Sequence, residues 1–277
     1  MMKPLLIALA ILLAIPNFIS KDINEPAVFD QKERYDPALA SLQSVDLLEK
    51  YVDEKAAQKN IKPGTGEYTT LLAYVISCRF YHGFSHWKLN ENWIAALGQK
   101  ITGIGVACKV QPEEIMKHPN AACSQQALVM MEVLKRKKIN YRKVGFPHHY
   151  ALEVQLQNQW YYFDPNMEPR INFTQRAHSN WKGENDLIKN YYPNTSETDL
   201  TYRFGNGQKA EFGIINEVPA RNARFFQGFT GVLSKILWCV PFLLSFAVKK
   251  KPYMYAVKPV NKNYTPPPPR LRPVYYA

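Results

Sequence analysis

The chain reads as an α+β protein, with helices packed on an antiparallel sheet, flanked by two apolar segments. Three observations carry the class. Helical periodicity dominates residues 44–138, alternating strand patterns follow over 140–164, and the two most apolar runs stand near the ends, "MMKPLLIALAILLAIPNFIS" at 1–20 and "FTGVLSKILWCVPFLLSFAVKKK" at 229–251. Helices followed by antiparallel strands define an α+β arrangement rather than an alternating one. With 277 residues, 46% of them hydrophobic and 13% aromatic, the chain can bury a full core without help from disulfides.

The first segment has Lys3 followed by an apolar run from Pro4 to Pro16, the charge-then-apolar order of a secretory signal. The small-residue cleavage rule is met only weakly, by Phe18 and Ser20, so residues 1–20 read as a signal peptide or an uncleaved anchor. Residues 21–43, broken by Pro26 and Pro37, form a lead-in. In "SVDLLEKYVDEKAAQK", 44–59, the residues Leu47, Leu48, Tyr51 and Val52 make a helical stripe with Ser44 as N-cap. After the turn "KPGTG", a helix is expected over Glu67–Tyr81, apolar nearly all round and therefore central, and another over Asn92–Lys100. Residues 102–120 contain Gly103, Gly105, Pro112 and Pro119 and read as a connection with one short helix. A helix over 122–138 carries Ala127, Met130, Met131 and Leu134 on one face. Strands follow at 140–146, 149–157 and 159–164. Residues 165–200 are loop-rich with a short helix near 184–191, and "YRFGNGQKAEFGII", 202–215, reads as a hairpin around Asn206-Gly207.

Residues 229–248 are long enough, at about 30 Å as a helix, to match a bilayer core. Lys235 lies near the start, where its stem can snorkel, and Pro241 kinks such a helix without forbidding it. The strictly uncharged stretch, Ile236–Val248, is shorter, so a core or re-entrant helix competes with a transmembrane one. Lys3 and Lys249–Lys251 mark cytoplasmic ends by charge, which places the intervening residues outside the membrane, in the periplasm of a bacterium. The tail 249–277 holds seven Lys or Arg and no acidic residue, and so accounts for more than half of the net charge of +12. It ends in the polyproline stretch "TPPPPRLRPVYYA". The remaining excess is modest and no recognition motif accompanies it, so no nucleic acid is expected as a partner. Cys78, Cys108, Cys123 and Cys239 show neither CxxC nor His-spaced pairs, so no metal site is expected. In an oxidising compartment Cys78 and Cys108 are a candidate disulfide, which leaves Cys123 as a free thiol.

The chemistry concentrates in 120–166. Asn120 is placed to cap the helix that Cys123 enters, and the partial positive charge of that first turn stabilises an anionic nucleophile. Downstream, Leu152, Val154 and Leu156 alternate with Glu153, Gln155 and Gln157. A tight turn at Gln157-Asn158 pairs Leu156 with Gln159 and sets Ala151 opposite Asp164, with His149 diagonal to Asp164 on one face. The imidazole then donates one N–H to the carboxylate and turns its other nitrogen toward Cys123.

These residues resemble the core of the transglutaminase-like (papain-like cysteine) superfamily. Its pattern is a helix-start Cys with Ala four residues on, then a basic turn, a His-x-x-x-Glu-Val strand, and an aromatic strand ending in Asp-Pro. Here Cys123 with Ala127, "VLKRKKINYRKVG", "HYALEV" and "WYYFDP" match it. Lys138 and Asn140 depart at the turn, and Ala151 stands where an aromatic is usual. The doubled histidine allows His148, which restores an aromatic at Tyr150 but breaks the spacing to Glu153 that selects His149. The resemblance implies Cys123 as nucleophile, His149 as base and Asp164 as orienting acid in a domain over 67–220, preceded by a helical lead-in over 21–66 and followed by a membrane or amphipathic helix over 221–248. It implies an acyl-enzyme formed from an amide or ester carbonyl of a protein or peptide substrate, in or near the cell envelope, with no cofactor. Asn92 or Trp93 is the expected upstream donor to the oxyanion, beside the Cys123 N–H. A membrane-tethered scaffold that keeps the fold without the chemistry is the rival expectation.

Overall fold

The computed structural model describes residues 2–24 and 33–248; the basic, proline-rich tail lies outside them. Helix α1 (Met2–Ala14) runs into a 3-10 turn at Ile15–Phe18, and a second such turn covers Pro37–Ser41. Then come α2 (Val45–Gln58), α3 (Gly66–Arg79), α4 (Leu89–Thr102), α5 (Pro112–Met116) and α6 (Cys123–Arg136). Strands β1 (Tyr141–Gly145), β2 (Tyr150–Leu156) and β3 (Gln159–Phe163) follow, and after them α7 (His178–Trp181), α8 (Asn185–Lys189), α9 (Glu197–Phe204), β4 (Glu211–Phe212), α10 (Arg221–Ile236) and α11 (Cys239–Ala247). The α+β class is thus what the fold has.

Local chemistry explains most of these boundaries. The Ser44 hydroxyl accepts from Leu47 N at 3.2 Å and starts α2, whose Val45, Leu48, Val52 and Ala56 are buried. The buried stripe is rotated from the expected one, because Leu47 faces solvent. Helix α3 buries Tyr68, Leu72, Ala73 and Ile76 among others, as its all-round apolarity predicts.

The sheet has the order β3-β2-β1-β4. Its central hairpin turns on Gln157 and Asn158, both with positive φ (49° and 65°), the two-residue geometry that fixes register. Leu156 pairs with Gln159 and Leu152 with Phe163, the expected register. One face, through Leu152, Val154, Leu156 and Phe163, packs on a core shared with α2, α3 and α6. The other, through Val144, Ala151 and Tyr162, meets Trp181, Ile188 and Phe204 from the later helices. Glu153 points into this second layer, where Arg142 (2.6 and 2.9 Å), His178 Nδ1 (2.8 Å) and Trp181 Nε1 (3.2 Å) surround its carboxylate.

Three expectations are corrected. The 202–215 hairpin does not form: "TYRF" finishes α9, which is capped by the Ser196 hydroxyl, buries Leu200 and Phe204, and ends at Gly205 with φ 75°. Only Glu211–Phe212 is strand, paired with β1 rather than with its own neighbour. The continuous helix over 229–248 is broken into α10 and α11, bent by 44°. Among the described residues no single helix is long and apolar enough to cross a membrane, although this bent pair passes on combined length and composition. Cys78 and Cys108 are not bonded, and all four cysteines are free.

Candidate active site

The entry to α6 is held by hydrogen bonds rather than by an N-cap side chain. Asn120, expected as the cap, instead donates to Phe84 O at 2.7 Å. Gln125 takes the capping role, its Oε1 accepting from Ala122 N (3.2 Å) and Ser85 N (2.9 Å). The same amide donates to Ser85 O (3.0 Å) and Lys109 O (2.7 Å), which fastens the loop through Ser85 and Trp87 to the helix start. Cys123 opens α6 and is half-buried rather than sealed. The first-turn N–H groups, its own included, have no intrahelical carbonyl to bind.

His149 lies one residue before β2, its ring held between Phe146 (centroids 6.3 Å apart) and Phe204 (5.3 Å). Its Nε2 is 2.6 Å from Asp164 Oδ2, and both side chains are fully buried. Asp164 follows β3, in a turn where its Oδ1 accepts the backbone N–H groups of Asn166 (3.1 Å) and Met167 (2.9 Å). The Tyr192 hydroxyl donates to Oδ2 at 2.7 Å. Burial by itself lowers the pKa of His149. The charge and hydrogen bond of Asp164 outweigh it, the Cys123 thiol adds to them, and the ring is pushed up to about 9. Burial raises the Asp164 carboxyl, but His149 and the N–H and O–H donors reverse this and hold it below the usual carboxylate value. The second ring nitrogen, Nδ1, is buried and makes no hydrogen bond of full geometry. The Cys123 thiol is nevertheless close enough to act on the ring, so Nδ1 is the nitrogen left for it.

The doubled histidine resolves by exposure. His148 is exposed and stacks on Tyr202, with centroids 4.4 Å apart and planes at 1°, and has no contact with Asp164. The expected oxyanion donors lie elsewhere: Asn92 Nδ2 donates to Gln227 O (3.1 Å) and Thr230 Oγ1 (2.9 Å), and Trp93 Nε1 to Ser234 O (3.0 Å). Their donors are occupied by α10. Among the buried polar atoms without a hydrogen-bond partner are the donors Tyr150 Oη and Trp87 Nε1. Tyr150 senses the Cys123 charge, and its own ionisation is suppressed first by burial and then by Glu217 and Cys123.

Several residues around the pair had no signal in the sequence. Tyr192 comes from the loop-rich segment. His82 lies beside the pair: burial, then the charges of Arg203 and His149, lower its pKa, so the neutral ring accepts from Asn166 Nδ2 at 3.1 Å. Glu168 is buried against Arg176 at 2.6 Å, and desolvation pushes its carboxyl up to about 7 despite that cation. A cleft of about 500 Å³ opens on the carboxylate side of the site, lined by Arg34, His82, Asn166, Tyr192 and Arg203 among others. Neither Cys123 nor His149 lines it. Among the described residues no cluster of His, Cys, Asp and Glu is arranged to hold a metal ion. No family profile, curated protein or solved structure matches the chain.

Proposed function

We propose that the chain is a thiol enzyme of transglutaminase-like type, forming an acyl-enzyme at Cys123 from an amide or ester carbonyl, in a domain tethered outside the cytoplasmic membrane. The observation that carries the reading is the fully buried His149–Asp164 pair, with the unbonded Nδ1 left facing a half-exposed thiol at a helix start. Carboxylate, imidazole and thiol in that order are what nucleophilic acyl transfer requires.

In the proposed step the thiol proton resides on His149 and Cys123 Sγ bonds to the carbonyl carbon. The C=O pair moves onto oxygen, which the Cys123 N–H stabilises together with Tyr150, whose unpartnered hydroxyl lies within electrostatic reach of Cys123, or with Trp87, a second unpartnered donor. Collapse expels the amine or alkoxide, which takes the proton from His149. Water (hydrolysis) or an amine (crosslinking) then adds to the thioester, gives its proton to His149, and releases the thiolate. Asp164 stabilises the imidazolium throughout and keeps its proton off itself.

The test is trapping with p-nitrophenyl acetate. An acetyl group recovered on Cys123, lost on hydroxylamine treatment and absent in Cys123→Ala and His149→Ala, supports the reading. Failure to acetylate Cys123 while the fold is intact favours the non-catalytic scaffold.

A further inference from the structure

We infer that α1 is a permanent half of the membrane anchor: it pairs antiparallel with α11, and the two embed in the membrane as one unit. This extends the tethered reading and is independent of the thiol chemistry.

The pairing is specific. Helix α11 buries Pro241 and Ser245, one turn apart, and α1 buries Ala10, so small or compact residues form the seam between them. Lys3 Nζ lies 5.8 Å from the Phe246 ring, which places the start of α1 beside the end of α11 and makes the pair antiparallel. Lys249–Lys251 follow directly in the sequence. The opposite end of α1 is built into the domain. Asn17 Nδ2 donates to Ser234 O (3.0 Å), while Ile19 O and Lys21 O accept Asn90 N and Leu89 N (3.0 Å each). Asp22 sits 3.6 Å from His86. A cut after Ser20 removes the Asn17 and Ile19 links and strips the cover from α11.

Most of the large side chains on the pair are apolar and exposed. Leu5 is 70% exposed, Leu12 63%, Leu243 65% and Phe246 66%. Ile11 and Leu244 add further directions, so the exposure surrounds the pair instead of forming one stripe. A second protein covers a stripe; a surface apolar all round, with its backbone groups satisfied inside helices, fits lipid. No charge interrupts Pro4–Ser20 or Ile236–Val248. At 13 and 9 residues, about 20 and 14 Å as helices, α1 and α11 fall short of the roughly 30 Å bilayer core, so the pair embeds in the membrane without spanning it.

The experiment uses the full chain with a C-terminal tag, expressed in a bacterium and recovered from membranes. Its readouts are intact mass, retention after carbonate washing, and proximity of Lys3→Cys to Phe246→Cys through a short bis-maleimide, mapped by peptide mass. The inference expects an uncut N-terminal segment, full retention, and a crosslink within one chain. Loss of residues 1–20 with retention intact overturns the paired anchor and leaves a tether through α11. Release into the aqueous fraction overturns both. A crosslink found only between chains overturns the inference in favour of a second copy covering the pair.

Discussion

Replacing Asp164 by Asn tests the electrostatics of the site most sharply. In the wild type, burial opposes protonation of His149, yet Asp164 and Cys123 hold the ring at about 9 against an ordinary 6.5. A rise of that size corresponds to roughly 3 kcal/mol favouring the protonated folded state. Because the folded pKa lies above the unfolded one, this stability is fully present below pH 6.5 and is lost as pH rises through about 9. In Asp164→Asn the carboxylate is gone, burial is opposed only by Cys123, and His149 is expected to be neutral across that window. The backbone N–H groups of Asn166 and Met167 still find the amide oxygen in place of Oδ1. Wild-type Tm in detergent should therefore fall by about 6–12 °C more than that of the variant between pH 6.5 and 9. Comparing the two falls subtracts the titrating groups that Asp164 does not touch; Glu168, whose carboxyl the Asp164 charge also raises, shifts with the substitution. A side-chain nitrogen NMR titration of His149 reads the same quantity directly. Equal falls in both proteins, with His149 titrating near 6.5 in each, would refute the reasoning.

Tyr192→Phe removes a hydroxyl that donates to Asp164 at 2.7 Å. A hydrogen bond to a charged group predicts a loss of about 2 kcal/mol in unfolding free energy, with the Cys123 alkylation rate reduced less than in Asp164→Asn. Glu153→Gln leaves Arg142 facing a neutral amide at a fully buried position. Thermal unfolding should register a cost of about 3 kcal/mol, and a change below about 1 kcal/mol would show the pair to be solvated. Tyr150→Phe and Trp87→Phe separate oxyanion support from thiol reactivity. Whichever donor serves the carbonyl oxygen should lower ester turnover by roughly 100-fold while leaving iodoacetamide labelling unchanged, since that alkylation forms no oxyanion. If labelling and turnover fall together, the residue positions the thiol instead.

Much of the scaffold was legible because local rules and burial agreed. Ser44 and the 3.6-residue spacing fixed α2, and the Gln157-Asn158 turn fixed the hairpin register that brings His149 to Asp164. Tertiary choices were not legible. "TYRF" alternates like a strand, yet Leu200 and Phe204, four apart, satisfy a helix equally well, and the aromatic layer under the sheet selects the helix. Asn92 has φ −153° and ψ 78°, a break within α4 that turns its amide onto α10. The signal for that contact was present in the polar stripe Gln227, Thr230 and Ser234, which interrupts the run from Phe225 to Ile236 at helical spacing. Pro241 announced a kink, but the break falls ahead of it, between Ile236 and Cys239. The separation of His148 from His149 came from β2, which begins at Tyr150 and leaves the buried ring on the Asp164 side.

The most direct measurement of the central claim is the rate of iodoacetamide labelling at pH 6, resolved by cysteine. Cys108, whose thiol is pushed up to about 11 by burial, should stay unlabelled, and free glutathione provides the rate of an unassisted thiol. Partnership with His149 predicts labelling of Cys123 roughly tenfold or more faster than an unassisted thiol. His149→Ala should abolish the difference and His148→Ala should leave it intact. A Cys123 that labels at the rate of an unassisted thiol, indifferent to His149, contradicts the account.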